Sequence, residues 1–224
     1  MVDELTHKSS TMCLKKLLKG EESRLMKITR AVFVLTLVAL VSGSSACAEK
    51  PEVDDEVAVL ETSYGRIVIE FLSRAAPKHV DNFKSIARES LYDGTRFHRI
   101  VKDPKKVILA VQGGDPNTIN GNPATWGQGA PGQKTVPAEF STLKHERGIV
   151  SAARLADDIN SATSQFFICI AAHPGFDGHY SIFGRVIEGM NVVDSIARAP
   201  AVGERPIDPV IVTRAYIVKR TELK

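Results

Sequence analysis

The sequence predicts a mainly β protein, a closed antiparallel barrel capped by two α-helices. Two observations carry this. Short apolar, β-branched runs recur between Val57 and Val218 and are bounded by Gly, Pro, Asn and Asp, the punctuation of strands and turns. Only two stretches, after Pro77 and after Gly189, repeat their apolar residues at helical spacing. Many short strands with two separated helices, and no internal repeat, fit one antiparallel sheet closed on itself.

The elements follow in order. Val57–Thr62 and Arg66–Phe71 are strand-like runs joined at Ser63-Tyr64-Gly65, where Gly65 can take positive φ. A helix is expected from Ala76-Pro77, with proline in the first turn and Val80, Phe83, Ile86 and Ala87 on one face. Phe97–Val101 and Val107–Asp115 form a hairpin around the charged turn Lys102-Asp103-Pro104-Lys105-Lys106, which reads as solvated. Its strands carry two polar residues that a plain core strand does not need, Arg99 and Gln112. Gly113–Pro137 is a Gly/Pro-rich surface loop. Gly127–Gly132 matches G-x-G-x-x-G by letters, but lacks the preceding strand and following helix of a dinucleotide loop. Further strands are expected at Gly148–Ala153, Gln165–Ala171 and Tyr180–Ile187, a second helix at Gly189–Arg198, and a final strand through Pro209–Val212 and Ala215–Val218.

The chain has 224 residues and a formal net charge of +3, unevenly placed. Residues 1–48 hold seven Lys/Arg and four Asp/Glu, leaving 22 of each sign in the rest. A neutral body carries no electrostatic footprint for nucleic acid. Of the three cysteines, Cys13 and Cys47 lie near the N-terminus and Cys169 sits in an apolar run, so neither a disulfide framework nor a zinc spacing can be built.

Ala31–Val41 is apolar apart from Thr36, follows Lys27 and Arg30, and precedes the small-residue tract Ser42–Ala48. This is a signal-peptide layout, with an apolar run too short for a bilayer core of ~30 Å. Two fates fit: cleavage after Ala46-Cys47-Ala48, leaving Glu49 first, or lipid attachment at Cys47. The expected organisation is an extension and signal peptide over 1–48, with Met26 as the expected start. An acidic tether over 49–56, a folded domain over 57–220 and a tail over 221–224 follow.

Phe97-His98-Arg99, Gln112-Gly113-Gly114-Asp115, Ser164-Gln165-Phe166-Phe167-Ile168 and Phe183-Gly184-Arg185-Val186 with Gly189-Met190 resemble, in order, the signature blocks of the cyclophilins. Arg154 and Ser161-Ala162-Thr163-Ser164 resemble the bacterial branch. The resemblance implies an eight-stranded antiparallel β-barrel with two capping helices and peptidyl-prolyl cis-trans isomerase activity. It places Arg99 as the catalytic arginine, Gln112 and Gln165 as groove glutamines, and Phe167 as the floor of the proline pocket. Phe176 falls at a pocket-wall position and Tyr180 where His or Tyr is found; His98, Ala153 and Arg154 also fall in the groove. Leu109 and Ala110 stand where the family has Phe and Met, and Gly175 where many members have Trp or Phe, which implies a shallower, less selective pocket. The hairpin turn is also longer than the family's. No cofactor or metal is implied. The partners are proline-containing polypeptides, the expected state is a monomer, and membrane attachment enters only with a lipid on Cys47.

The residue types suit the chemistry. Amide resonance gives the X–Pro bond a rotational barrier of ~18–20 kcal/mol, and no covalent bond need be made or broken to cross it. In the twisted state the imide nitrogen gains a lone pair, which a fixed, permanently charged guanidinium stabilises selectively. Alternation along a strand puts Gln165 and Phe167 on one face and Phe166 on the other, inside the barrel. The rival reading is a cyclophilin-like peptide-binding chaperone or docking module with little turnover.

Overall fold

The computed structural model describes residues 54–223. The expected signal segment, the Met26 start and Cys47 lie outside them, as does most of the acidic stretch 49–56. The last part of that stretch is not a tether. Asp54 accepts hydrogen bonds from Ser73 Oγ at 2.8 Å and Lys84 Nζ at 2.7 Å, and Glu56 opens the first strand and binds both Lys84 and Arg88. Burial opposes the charge on Lys84, yet these two carboxylates hold its pKa above the ordinary value.

Strands β1 (Glu56–Thr62) and β2 (Gly65–Phe71) form the first hairpin, and Gly65 turns it at φ 129°, which suits glycine. Helix α1 (Pro77–Arg88) follows. The second hairpin is β3 (Arg99–Lys102) with β4 (Ile108–Gly113). The long loop after β4 holds a four-residue helix, α2 (Asn117–Asn120), and a 3₁₀ turn at Pro123–Thr125. Three further strands of the main sheet are β5 (Ile149–Ala152), β6 (Phe166–Cys169) and β7 (Ile182–Glu188). Helix α3 (Met190–Ala197), a small hairpin of β8 (Ala201–Val202) and β9 (Arg205–Pro206), and β10 (Val212–Lys219) complete the order. The final strand thus starts later than expected, and α2 and the β8–β9 hairpin are additions to the sequence reading.

Eight strands make one antiparallel sheet in the order β10-β1-β2-β7-β5-β6-β4-β3. It curls until the residues preceding its two edge strands meet. There Phe97 N–H donates to Val210 O at 2.9 Å and Val212 N–H to Thr95 O at 2.8 Å, around the isolated bridge Arg96–Ile211. Closure rests on this short contact, not on a full ladder between β3 and β10.

The interior is filled from the strands and from both longer helices. Phe83 of α1 is buried, and its ring meets Phe71, Tyr92, Phe166 and Phe183 at centroid distances of 4.8–5.8 Å. Val193 and Ile196 of α3 join the same cluster. The N-terminus of α1 has no cap from its own side chains; Glu139, from a distant loop, accepts from the Lys78 and His79 N–H groups at 3.1 and 3.0 Å. At the start of α3, Gly189 has φ 90° and a Cβ there would lie 2.2 Å from Arg66 O, so only glycine fits.

Because Phe83 is the side chain on which four rings converge, Phe83→Ala is expected to lower the unfolding free energy by about 3–5 kcal/mol, read as a reduced urea midpoint.

Candidate active site

The groove is built on β3, β4 and β6. Gln112 pairs across the ladder with Arg99 on one side and with Phe167 on the other, so these residues share a face of the sheet. Phe166 points the other way, into the rings around Phe83. The alternation expected from Gln165-Phe166-Phe167 is therefore what the fold uses.

A chain of hydrogen bonds runs through the polar centre. Arg99 Nη1 donates to Gln112 Oε1 at 3.4 Å, Gln112 Nε2 to Gln165 Oε1 at 3.0 Å, and Gln165 Nε2 to Gly127 O at 3.1 Å. Gly127 N–H in turn donates to the wholly buried carboxylate of Asp115. The Gly-rich segment thus wraps against the groove and orients its amides; α2 precedes it and no helix opens after Gly132, so it lacks the dinucleotide-loop context.

Two open cavities flank Gln112. One, of about 340 Å³, is lined by Ala153, Arg154, Thr163, Gln133 and Gln165 as well as Gln112. The other, of about 700 Å³, is lined by His98, Arg99, Trp126, Val202 and Glu204. His98 is buried, its Nε2 has no hydrogen-bond partner, and burial pushes its pKa below the usual imidazole range, so it faces this second cavity as a neutral ring.

Phe167, expected at the floor of the pocket, is nearly buried beside Gln112 on this face and lines neither cavity. Phe176 and Tyr180 meet its ring edge-on at 5.4 and 5.2 Å, and Ala110 packs in the same cluster. Arg154 lays its guanidinium over Tyr180 at 4.9 Å and donates to the carbonyls of His179, Leu155 and Ala156. Ala153 N–H donates to Gln165 O, which ties the cavity wall to the start of β6.

The structure brings nearly all the expected site residues together; Leu109 is the exception and is corrected here. A register shift between Val101 and Lys102 pairs Val101 with Ala110 and Lys102 with Ile108, leaving Leu109 unpaired on the β3 side. Leu109 is absent from the Phe167 cluster, which Ala110 joins as a wholly buried residue; neither lines a cavity. Lys102, the first residue of the expected turn, ends β3 instead, and its Nζ donates to Gly203 O at 2.8 Å.

Sequence reasoning missed a relay beneath the floor. His145 is buried, stacks on Phe167 at 6.1 Å, and places Nδ1 3.1 Å from Asp177 Oδ1 and Nε2 3.0 Å from Ser151 Oγ. An ionised carboxylate only accepts, so Nδ1 carries the proton; burial lowers the pKa of His145 and keeps it neutral, so Nε2 accepts from the Ser151 hydroxyl. The order Ser–His–Asp is that of a hydrolytic triad, but Ser151 is wholly buried and out of reach of a substrate carbonyl. The relay positions the ring above it. Nothing in Leu143-Lys144-His145-Glu146-Arg147 signals this, because the partners meet only in the fold.

The sequence model for cyclophilin type peptidyl-prolyl cis-trans isomerase matches residues 57–217. Peptidyl-prolyl cis-trans isomerase-like 1 of Homo sapiens is 36% identical over 159 residues, covering 70% of this chain and 89% of that protein. The isomerase ppi1 of Schizosaccharomyces pombe is 38% identical over 160 residues, covering 70% and 95%. Among solved structures, a cyclophilin type isomerase of Cryptosporidium parvum, crystallised in the presence of the dipeptide Ala-Pro, superposes with a TM-score of 0.63 at 28% identity, over 73% of this chain and 99% of that one. Cyclophilin AquaCyp293 of Hirschia baltica gives 0.59 at 27% identity, over 77% of each chain. The fold is that of the prolyl isomerases it superposes on. The chain belongs to the cyclophilin-type peptidyl-prolyl cis-trans isomerases.

Asp177 links the relay to pH. The His145 backbone N–H, the His145 ring and Lys144 hold its pKa at about 2 against the opposing effect of burial, below the ordinary 3.8. A carboxylate depressed in the folded state stabilises the fold above its unfolded pKa and loses that contribution as pH falls through the folded one. Unfolding free energy is therefore expected to drop as pH falls from about 4 to about 2. Asp177→Asn is expected to be less stable at neutral pH and to show a shallower acid limb in urea titrations.

Proposed function

We propose that this protein accelerates rotation about X–Pro bonds in exported polypeptides, with Arg99 stabilising the twisted imide. The observation that carries the mechanism is the cross-strand register Arg99–Gln112–Phe167, which sets a fixed cation, an amide and an aromatic floor on one face. The substrate's proline ring rests against Phe167 beside Phe176 and Tyr180. Gln112 and Gln165, already oriented by their mutual hydrogen bond, hold the neighbouring carbonyl groups of the substrate. As the C–N bond turns, resonance is lost and the nitrogen lone pair emerges toward the Arg99 guanidinium. An interaction that exists only in the twisted state lowers the barrier, whereas one made equally to cis and trans forms would only tighten binding. The two cavities either side of Gln112 leave room for the residues flanking the proline.

Arg99→Ala is expected to reduce kcat/KM about 10²-fold in a protease-coupled assay on an X–Pro peptide, consistent with the loss of one directed charged donor at a transition state. An unchanged rate would overturn the role given to Arg99. A wild-type rate equal to that of buffer would favour the binding-module reading instead.

Export rests on Lys27 and Arg30, the apolar run Ala31–Val41 and the small residues through Ala48. The protein then acts, as a monomer, in a bacterial periplasm or cell envelope. Mass spectrometry of the mature protein is expected to find Glu49 first. A lipid-modified Cys47 would replace the soluble form with an anchored one, and an uncleaved N-terminus would refute export.

A further inference from the structure

Glu204 lies in the turn between β8 and β9, and no feature of the sequence marks it. Its carboxylate is shared between two donors of the strand that carries the catalytic arginine. Oε2 accepts from Arg99 Nε at 2.7 Å, and Oε1 accepts from the Lys102 backbone N–H at 2.9 Å. The backbone of the turn is fastened to the same strand: Ile100 N–H donates to Glu204 O at 2.7 Å, and Lys102 Nζ donates to Gly203 O at 2.8 Å. The anchor therefore moves with β3.

Resting on the role given to Arg99 above, we propose that Glu204 is a positioning residue for the isomerisation, fixing the plane of the Arg99 guanidinium toward the groove. The Nε–H bond lies in the guanidinium plane, so an anchored acceptor there sets its orientation, and the Nη1 bond to Gln112 sets the second point. The Nη2 hydrogens have no partner among the described residues and stay available to a substrate. Arg99 is 48% exposed at its side chain. Without this clasp it would sample the many rotamers of a long side chain at a strand surface, and a guanidinium must be aligned to favour only the twisted imide. A half-exposed ion pair adds little to stability, so the consequence falls on rate. Glu204 is held ionised below the usual carboxylate range: burial opposes this, and the Lys102 N–H and Arg99 outweigh it.

The test uses the full chain and compares wild type, Glu204→Ala, Glu204→Gln, Arg99→Ala and the double variant Arg99→Ala/Glu204→Ala. Each is assayed for kcat and KM on an X–Pro peptide and for its thermal midpoint. Glu204→Ala is expected to lower kcat about tenfold, equivalent to ~1.4 kcal/mol, with KM changed by less than about twofold. Glu204→Gln keeps one acceptor and is expected to retain more of the rate; it also carries the test if the alanine variant fails to fold. In the Arg99→Ala background, removing Glu204 is expected to cost no further rate. A normal kcat in both Glu204 variants, with Arg99→Ala impaired, would overturn the inference and leave the role of Arg99 standing. Equal losses with and without Arg99 would reduce Glu204 to a fold contact. An unimpaired Arg99→Ala would remove the reading on which the inference rests.

Discussion

Gln112 sits on the middle strand of three, facing Arg99 across one ladder and Phe167 across the other. The position of the cation relative to the amide and the ring is therefore a matter of register. A slip of one residue would turn Gln112 into the barrel and bring Val111 out. That slip is opposed by burial: Val111, Val150, Phe166 and Ile168 all lie in the main cluster, and exposing even one such side chain costs about 1.5–3 kcal/mol. The hydrophobic core thus selects the functional face. The register shift that absorbs the long turn lies at Val101/Lys102, beyond Arg99, and leaves the groove pairing intact.

The polar centre is organised before any substrate arrives. Each donor in the series from Arg99 through Gln112 and Gln165 ends on an acceptor, and the last acceptor is the carbonyl of Gly127, a residue whose N–H is held by Asp115. An amide with both ends engaged cannot flip without breaking two bonds. Fixed dipoles of this kind need not reorganise during the reaction, which is what gives them an advantage over water. The loop after β4 therefore serves the site through its backbone, and its glycines permit the close approach that carbonyl and amide require.

What was legible in the sequence was local. The face shared by Gln165 and Phe167, the inward turn of Phe166, the apolar stripe of α1 and the turn at Gly65 each follow from the spacing of neighbouring residues. The missed features join residues far apart in the chain: 105 positions separate Arg99 from Glu204, 60 separate His79 from Glu139, and 32 separate His145 from Asp177. Each involves a carboxylate in a polar loop, which reads locally as a solvated residue. Leu109 was misplaced for a different reason. Counting back from Gln112 along the family pattern put it in the pocket, although strand alternation sets it opposite in parity to both Ala110 and Gln112. The bulge leaves it unpaired on the β3 side, while its carbonyl still accepts from Ile170 N–H at 2.9 Å.

The groove holds two arginines, and the structure distinguishes them by how their donors are spent. Arg154 directs Nε and Nη1 to three main-chain carbonyls and stacks on Tyr180, so its charge braces the wall beside Phe167. Moving it would leave those carbonyls unpaired and release the tyrosine edge that holds the floor. Arg99 has one N–H on Glu204 and one on Gln112, and its Nη2 hydrogens are uncommitted among the described residues. A nitrogen lone pair that appears only during rotation needs a donor that is fixed in direction and still unpaired. On the proposed mechanism Arg99 supplies that donor beside Gln112, held in direction by the carboxylate of Glu204, whereas Arg154 spends three N–H bonds on main-chain carbonyls and its guanidinium face on Tyr180.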